Sequence, residues 1–166
     1  TEHGEAYLFD NGDQLGYGAE PEDDRYYWFL ESAEGYTQIR NKATGDYIHL
    51  ENNLSYVECT PVQSHWHSKD WTLQDAGQGY KRLLCRWSGA PDYIHIENLR
   101  GYAEHAPAGT DNGDSTIDKW WSAMWLVQGE SSAFFSNNRC WIPHPSEQTQ
   151  AWAIVDTPRY VPALPD

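Results

Sequence analysis

The sequence predicts an all-β fold built from repeated units of about 45 residues, on three observations. The segment at 47–52 (YIHLEN) returns 46 positions later at 93–98 (YIHIEN), and each copy follows an aspartate. Within these segments apolar and polar residues alternate with the period of two that is typical of strands. Turn-forming segments such as Asn11-Gly12 and Asn112-Gly113 separate the runs, and no window of a dozen residues carries a helical stripe.

The similarity extends over two complete repeats, residues 36–79 and 80–129. Further shared positions are Gly35-Tyr36 with Gly79-Tyr80, Tyr56-Val57-Glu58 with Tyr102-Ala103-Glu104, and Trp66 and Trp71 with Trp120 and Trp125. The repeat at 80–129 also contains an additional polar stretch, residues 108–118, rich in Gly, Asp and Thr. We interpret this stretch as a loop inserted at the surface.

Weaker copies of the repeat lie at the two ends of the chain. Residues 6–35 follow its later part, and residues 134–141 resemble its earlier part. We therefore predict a third repeat, 6–35 plus 134–166, that is divided between the termini so that the first and last strands pair. Segments 152–156 and 160–162 also resemble strands of the repeat, which gives about fourteen candidate strands where three four-stranded units need twelve. The sequence leaves open which terminal pair is surplus.

Three such units predict one β-trefoil domain over residues 1–166, a closed barrel capped by hairpins with pseudo-threefold symmetry. A β-propeller blade has a similar period. Propellers, however, typically have at least four blades and need a longer chain.

The charge and aromatic content narrow the classes of partner. The chain has 25 Asp and Glu against 11 Lys and Arg, a formal charge of -14, which repels phosphate backbones and anionic lipid headgroups. Neither nucleic acid nor a membrane is therefore an expected partner, and no apolar stretch approaches the roughly 20 residues that span a bilayer. The chain has 9 Trp and 11 Tyr against 4 Phe. Rings with polar edges stack on ligands and hydrogen-bond at the rim, which indicates recognition.

The cysteines and one short motif bear on localisation. Cys59, Cys85 and Cys140 allow at most one internal disulfide, and they lack the CxxC pairs of a structural zinc site. Residues 53–55 (NLS) match a glycosylation sequon, and residues 1–5 lack a signal region. We expect an extracellular protein whose signal peptide is already removed.

The histidines and the acidic run do not predict a metal or cofactor site. His49 and His95 each lie two residues before a glutamate, and we interpret this spacing as hydrogen bonding on one strand face rather than ligation. His65 and His67 have no identifiable third ligand. The acidic run at 20–24 lacks the spaced oxygens and glycine of a calcium loop, so we interpret it as a solvated turn.

Repeated glutamate and tryptophan pairs are the candidate binding residues. Glu58 with Trp66 and Glu104 with Trp120 occupy matching places, where the glutamate ends one strand and the tryptophan lies in the following loop. Trp66 and Trp120 have polar neighbours, so we expect both rings to be exposed. The C–H face of a pyranose lies flat on an indole, and a carboxylate binds its hydroxyls, which predicts several weak carbohydrate sites that act together.

The remaining aromatic positions divide into secondary candidates and core. Trp121 is a second choice for its repeat, and Tyr26 with Glu20 is the nearest equivalent in the third repeat. We expect the tryptophans inside apolar runs to be core residues: Trp28, Trp71 and Trp125.

Residues 40–52 (RNKATGDYIHLEN) and 120–125 (WWSAMW) resemble carbohydrate-binding module family 92, and the resemblance covers about 36–129. It implies a trefoil that binds β-glucans through up to three sites, each built around a tryptophan and a glutamate. Those roles would fall on Trp66 with Glu58 and on Trp120 with Glu104. No tryptophan precedes Trp28 at the matching place, so two working sites are expected. The chain lacks the QxW repeats of ricin-type lectins, which argues against galactose binding by that mode.

These patterns predict a non-catalytic, lectin-like protein that binds a polysaccharide or other glycan, with β-glucan as the first candidate. The alternative is a trefoil protease inhibitor that acts through the loop at 108–118, and a third hypothesis is a purely structural module. We expect no enzyme activity, because GxSxG, P-loop and HExxH motifs are absent and the prominent carboxylates belong to different repeats rather than to one cleft. The sequence leaves open whether the chain is a module of a larger enzyme.

Overall fold

The computed structural model describes residues 5–62, 66–87 and 91–138. These residues form twelve strands and four single-turn 3-10 helices. The strands are β1 (Ala6–Asn11), β2 (Gln14–Gly18), β3 (Trp28–Ala33), β4 (Tyr36–Asn41), β5 (Tyr47–His49), β6 (Glu58–Thr60), β7 (Asp70–Gly77), β8 (Tyr80–Cys85), β9 (Asp92–His95), β10 (Glu104–Pro107), β11 (Trp125–Gln128) and β12 (Phe134–Asn137). The 3-10 helices are η1 (Asp24–Tyr26), η2 (His67–Lys69), η3 (Ile117–Lys119) and η4 (Trp121–Ala123).

The strands join into one antiparallel sheet in the order β10-β9-β8-β11-β12-β1-β2-β6-β5-β4-β3, and β7 pairs with both β4 and β8. Four strands come from each repeat: β4 to β7, β8 to β11, and β12 together with β1 to β3. The last group is the divided repeat, since β1 pairs with β12 in the register Ala6 to Asn137 and Tyr7 to Ser136. The prediction that a third repeat is split between the two ends is confirmed.

A closed ring of three backbone hydrogen bonds lies where the repeats meet. Leu15 N donates to Val57 O (2.8 Å), Val57 N donates to Ala103 O (2.9 Å), and Ala103 N donates to Leu15 O (2.8 Å). Each residue belongs to a different repeat and makes the same bond to the next. This ring marks a pseudo-threefold axis, so the fold is a β-trefoil, as predicted.

The core repeats the same symmetry with three tryptophans that are completely buried. Each indole N–H donates to a backbone carbonyl in the second strand of its own repeat, which satisfies the polar atom that burial removes from water. The bonds run from Trp28 to Leu8 (3.3 Å), from Trp71 to Ile48 (2.9 Å) and from Trp125 to Ile94 (3.2 Å). The prediction that these three tryptophans are core residues is confirmed.

Two hairpins begin the complete repeats with the same two-residue turn. Glu34 and Gly35 join β3 to β4 at φ 54° and 85°, and Gln78 and Gly79 join β7 to β8 at φ 54° and 87°. Two successive residues at positive φ match the right-handed twist of the flanking strands, and glycine adopts the second position without strain.

Several sequence predictions lie outside the described residues. These are the candidate strands at 152–156 and 160–162, Trp141, His65 and Cys140. Cys59 and Cys85 are both buried. Within the described ranges, no helix has the length and hydropathy of a membrane-spanning segment. The extent of the domain over residues 1–166 stays a prediction.

Candidate functional site

Each repeat has a 3-10 helix just before its core tryptophan, and the residue that precedes this helix occupies an equivalent position in all three repeats. Helices η1, η2 and η4 each end two residues before the core tryptophan of their repeat. The residues that precede these helices, Asp23, Trp66 and Trp120, are therefore structural counterparts. The pairing of Trp66 with Trp120 that the sequence indicated is confirmed.

Trp120 does not face solvent. Its side chain is only 3% exposed, and the ring lies edge-on against His95 with centroids 5.3 Å apart. The indole N–H donates to the carbonyl of Ser115 (2.8 Å), and buried Ile117 packs in the same cluster. The prediction of an exposed ring is wrong here, because the insertion at 108–118 folds back over the tryptophan.

Trp121 is buried as well, at 1% exposure. It packs with Met124 and meets the ring of Tyr80 edge-on, with centroids 5.8 Å apart. The two adjacent tryptophans thus enter two separate small clusters beside the main core. The prediction that Trp121 is an alternative surface platform is wrong.

The insertion is anchored by a buried carboxylate that the sequence reasoning did not single out for this role. Glu97 is 3% exposed, and it accepts hydrogen bonds from Asn112 Nδ2 (2.8 Å) and Ser122 Oγ (2.7 Å). One residue lies in the insertion and the other in η4, so the carboxylate ties the loop to the barrel. The signal for this role was the insertion itself, which distinguishes the surroundings of Glu97 from those of its counterpart Glu51.

The repeated glutamates hold turns. Glu58 is 3% exposed, and its two oxygens accept bonds from the backbone N (3.0 Å) and side-chain Nδ2 (2.6 Å) of Asn52. Half-buried Glu104 repeats the pattern, accepting from Asn98 Nδ2 (2.9 Å). The expectation that Glu58 faces solvent is wrong, because its carboxylate satisfies the loop between β5 and β6. The repeated asparagine six positions earlier was the signal for this pairing.

The histidines before the repeated glutamates are structural. Backbone N–H groups of Glu51 and Glu97 donate to Nδ1 of His49 (3.2 Å) and of His95 (3.1 Å). Nε2 of His49 therefore carries the proton and donates to Thr60 Oγ1. Burial lowers the pKa of His49, and burial together with nearby His105 lowers the pKa of His95 to about 4. Both rings are therefore neutral near pH 7.

In the third repeat the candidate aromatic is also in the core. Tyr26 is 5% exposed and stacks on Phe9, with centroids 4.7 Å apart. The counterpart of the tryptophans is instead Asp23, whose carboxylate caps η1 by accepting from Arg25 N (2.9 Å). The prediction that Tyr26 offers a surface platform is wrong. Glu20 is exposed.

Trp66 is the counterpart that stays partly exposed. Six residues separate β6 from η2, whereas thirteen separate β10 from η4, so the repeat at 36–79 has no insertion to cover the ring. A capping aspartate serves the same position in the third repeat, and the indole at 66 makes no such capping bond.

His67, the residue after Trp66, belongs to a cluster of charged and polar side chains. His67, Glu34 and Asp70 bring their side-chain ligand atoms within 4.8 Å of one another. Arg86 Nη1 donates to Glu34 Oε2 (3.1 Å) and to Asp70 Oδ2 (2.9 Å), so a guanidinium already supplies the positive charge between the carboxylates. These bonds, first that of Glu34, raise the pKa of Arg86.

Exposed Trp87 directly follows this arginine. Its side chain is 46% exposed, more than that of any other large apolar residue in the described ranges. The Arg86 guanidinium lies over the ring of Tyr36, 4.4 Å from its centroid. Trp87 was not among the predicted binding residues, because those candidates came from positions that recur between repeats. The other complete repeat has no tryptophan at the matching position.

The solved structures that share the fold include a natural enzyme and a designed protein. A GlcNAcα1-4Gal-releasing endo-β-galactosidase from Clostridium perfringens matches with a TM-score of 0.60 and 25% identity, over 74% of this chain and 32% of that chain. The designed threefold-symmetric protein ThreeFoil matches with a TM-score of 0.55 and 20% identity, over 76% of this chain and 99% of that chain.

This chain is a β-trefoil similar to part of a carbohydrate-active enzyme. It spans about a third of that enzyme's length. No family model and no curated protein match the sequence, so the resemblance to carbohydrate-binding module family 92 stays a prediction.

Proposed function

We propose that this trefoil binds carbohydrate without cleaving it, at the surface around Trp66 in the repeat at 36–79. The observation that carries the proposal is that Trp66 remains partly exposed where its counterparts are a covered tryptophan and a capping aspartate. The similarity to part of an endo-β-galactosidase supports a carbohydrate ligand.

The chemistry of the site suits a sugar. An indole face stacks on the C–H face of a pyranose, and polar groups beside it bind the hydroxyls. Exposed His67 follows Trp66 directly, and the Glu34 carboxylate, with 73% of its side chain exposed, lies in the adjoining cluster. A charged acceptor makes a stronger hydrogen bond to a hydroxyl than a neutral one does.

We propose one exposed carbohydrate site, whereas the sequence predicted two. Trp120 is covered, so the avidity that equivalent sites would provide is not part of the proposal. A non-catalytic role also suits the carboxylates of Glu34 and Asp70. They share one guanidinium, whereas a glycosidase needs two carboxyl groups on either side of the scissile bond.

The sugar is proposed as a neutral glycan, with two candidates. The family resemblance favours β-glucan, and the name of the similar enzyme points to glycans that contain galactose and N-acetylglucosamine. A glycan array that includes both classes tests them together, and a protease inhibition assay on the same preparation tests the alternative function.

The decisive measurement is titration calorimetry of the full chain with the glycans that the array retains. Trp66→Ala is expected to weaken binding at least about tenfold, since a lost ring contact is worth roughly 1.4 kcal/mol or more. Leu30→Ala, which truncates another exposed apolar side chain, is the control and should bind as the wild type does. Equal binding by wild type and Trp66→Ala would reject the site.

A further inference from the structure

The position of Trp87 has no structural need for an aromatic ring. Arg86 N donates to Asp70 O (2.9 Å), and Lys42 N donates to Tyr27 O (2.9 Å) at the equivalent junction of the preceding repeat. The residue after Lys42 is Ala43, so alanine serves where Trp87 stands. A ligand that covered Trp87, which is 46% exposed, would remove apolar surface from water and gain binding free energy.

Short contacts link Trp87 to the proposed carbohydrate site. Trp66 directly precedes His67 in the chain, and the His67 ring has a nitrogen within 4.8 Å of carboxylate oxygens of Glu34 and Asp70. Both carboxylates form ion pairs with Arg86, and Trp87 is the next residue in the chain. Trp66 and Trp87 are therefore each the chain neighbour of a residue in one polar cluster.

The cluster gives Trp87 a fixed support. The Arg86 guanidinium is held by two carboxylates and by the Tyr36 ring, and its backbone N–H is bonded to β7. Asp70 is also held by Gln38 Nε2 (2.9 Å). A preorganised support lowers the entropy lost when a ligand binds, which favours affinity.

The charge of the cluster limits the class of ligand. Two carboxylates and one guanidinium give a net charge of about -1, and the whole chain carries -14. Uronate and sulfate groups are repelled by such a surface, whereas neutral hydroxyls are not.

We propose that Trp87 is the second aromatic contact of the carbohydrate site, so that Trp66 and Trp87 together hold a neutral linear oligosaccharide across the cluster of Glu34, His67, Asp70 and Arg86. This inference rests on the proposed function. It adds a preference for chain length and for uncharged sugars.

The test is calorimetry with β-1,3-glucan oligosaccharides and galactose-containing oligosaccharides of two to six residues. Wild-type affinity should rise with length. Trp87→Ala should lose about tenfold for the longest chains and little for disaccharides, whereas Trp66→Ala should weaken binding at every length. Trp87→Phe should retain most of the gain with length, and uronate chains of equal length should bind more weakly than neutral ones.

The outcomes separate the two proposals. If Trp87→Ala keeps the wild-type dependence on length, the inference is overturned while the proposed function stands. If the wild type binds none of these oligosaccharides, both are overturned. Circular dichroism checks that each variant is folded, and Leu30→Ala again controls for truncation of an exposed apolar side chain.

Discussion

Thr44 Oγ1 donates a 2.6 Å hydrogen bond to Oδ2 of Asp10. This bond joins the loop after β4, in the repeat at 36–79, to β1 in the divided repeat. Asp10 is only 1% exposed, and its other oxygen, Oδ1, has no hydrogen-bond donor while Asp10 and Asp46 are both ionised. The Asp46 carboxyl group lies within hydrogen-bonding distance. Burial and then Asp46 raise the pKa of Asp10 to about 6, although Thr44 and Arg25 oppose the shift. The Asp10 carboxyl group is therefore largely protonated in mildly acidic solution.

The raised pKa predicts that Asp10→Asn stabilises the protein above pH 6. A carboxyl group whose folded pKa lies above its unfolded value of 3.8 contributes its full stability below that value and loses it as pH rises through about 6. Asparagine can accept from Thr44 and donate to Asp46 at every pH. Urea unfolding should show a gain on the order of 2 kcal/mol at pH 7.5 and little change at pH 4.

Asp13→Asn removes an exposed carboxylate from the adjoining turn and serves as the control. It should change the free energy of unfolding by less than about 0.5 kcal/mol. A loss of stability in Asp10→Asn at pH 7.5 would contradict the raised pKa of Asp10.

Glu97→Ala is expected to detach the insertion at 108–118. The change leaves the half-buried Asn112 donor and the buried Ser122 donor without their acceptor, at a cost of about 3 kcal/mol. Hydrogen exchange should show faster exchange of amides in the loop. Glu51→Ala removes the counterpart from the repeat without an insertion and should cost much less. Equal costs for the two variants would contradict the anchoring role.

Trp66→Ala and Trp120→Ala should fail in different ways. Truncating buried Trp120 removes a core ring and should cost about 3–5 kcal/mol of unfolding free energy. At temperatures where it is folded, this variant should still bind glycan. Trp66→Ala should keep nearly all its stability and lose binding. Paired thermal melts and calorimetry check both, and a stable Trp120→Ala that no longer binds would restore a second site.

Trp71→Phe should destabilise the barrel by about 2–4 kcal/mol, because it leaves a cavity and removes the donor to Ile48 O. Trp87→Phe is the matched control, since it makes the same change at an exposed position and should be nearly neutral. Chemical unfolding measures both. Similar costs at 71 and 87 would contradict the difference in burial.

The repeats made the fold predictable. The copies around Ile48 and Ile94 carry the strand pattern, and core tryptophans at matching places revealed the symmetry and the divided third repeat. Binding residues were less predictable, because repetition marks whatever the fold needs as well as what a ligand needs. Glu58 and Glu104 recur since each holds the same turn through an asparagine.

The sequence alone determined the trefoil and its three repeats, because alternation and repetition are local properties of the chain, but it left the number of strands open. Exposure was decided only in three dimensions. Trp66 and Trp120 have similar polar neighbours in sequence, but Trp120 is sealed by an insertion that Glu97, in the turn after β9, anchors. The grouping of Glu34, Asp70 and Arg86 beside two tryptophans was equally beyond sequence reasoning, because its members come from separate strands and turns that meet only when the barrel closes.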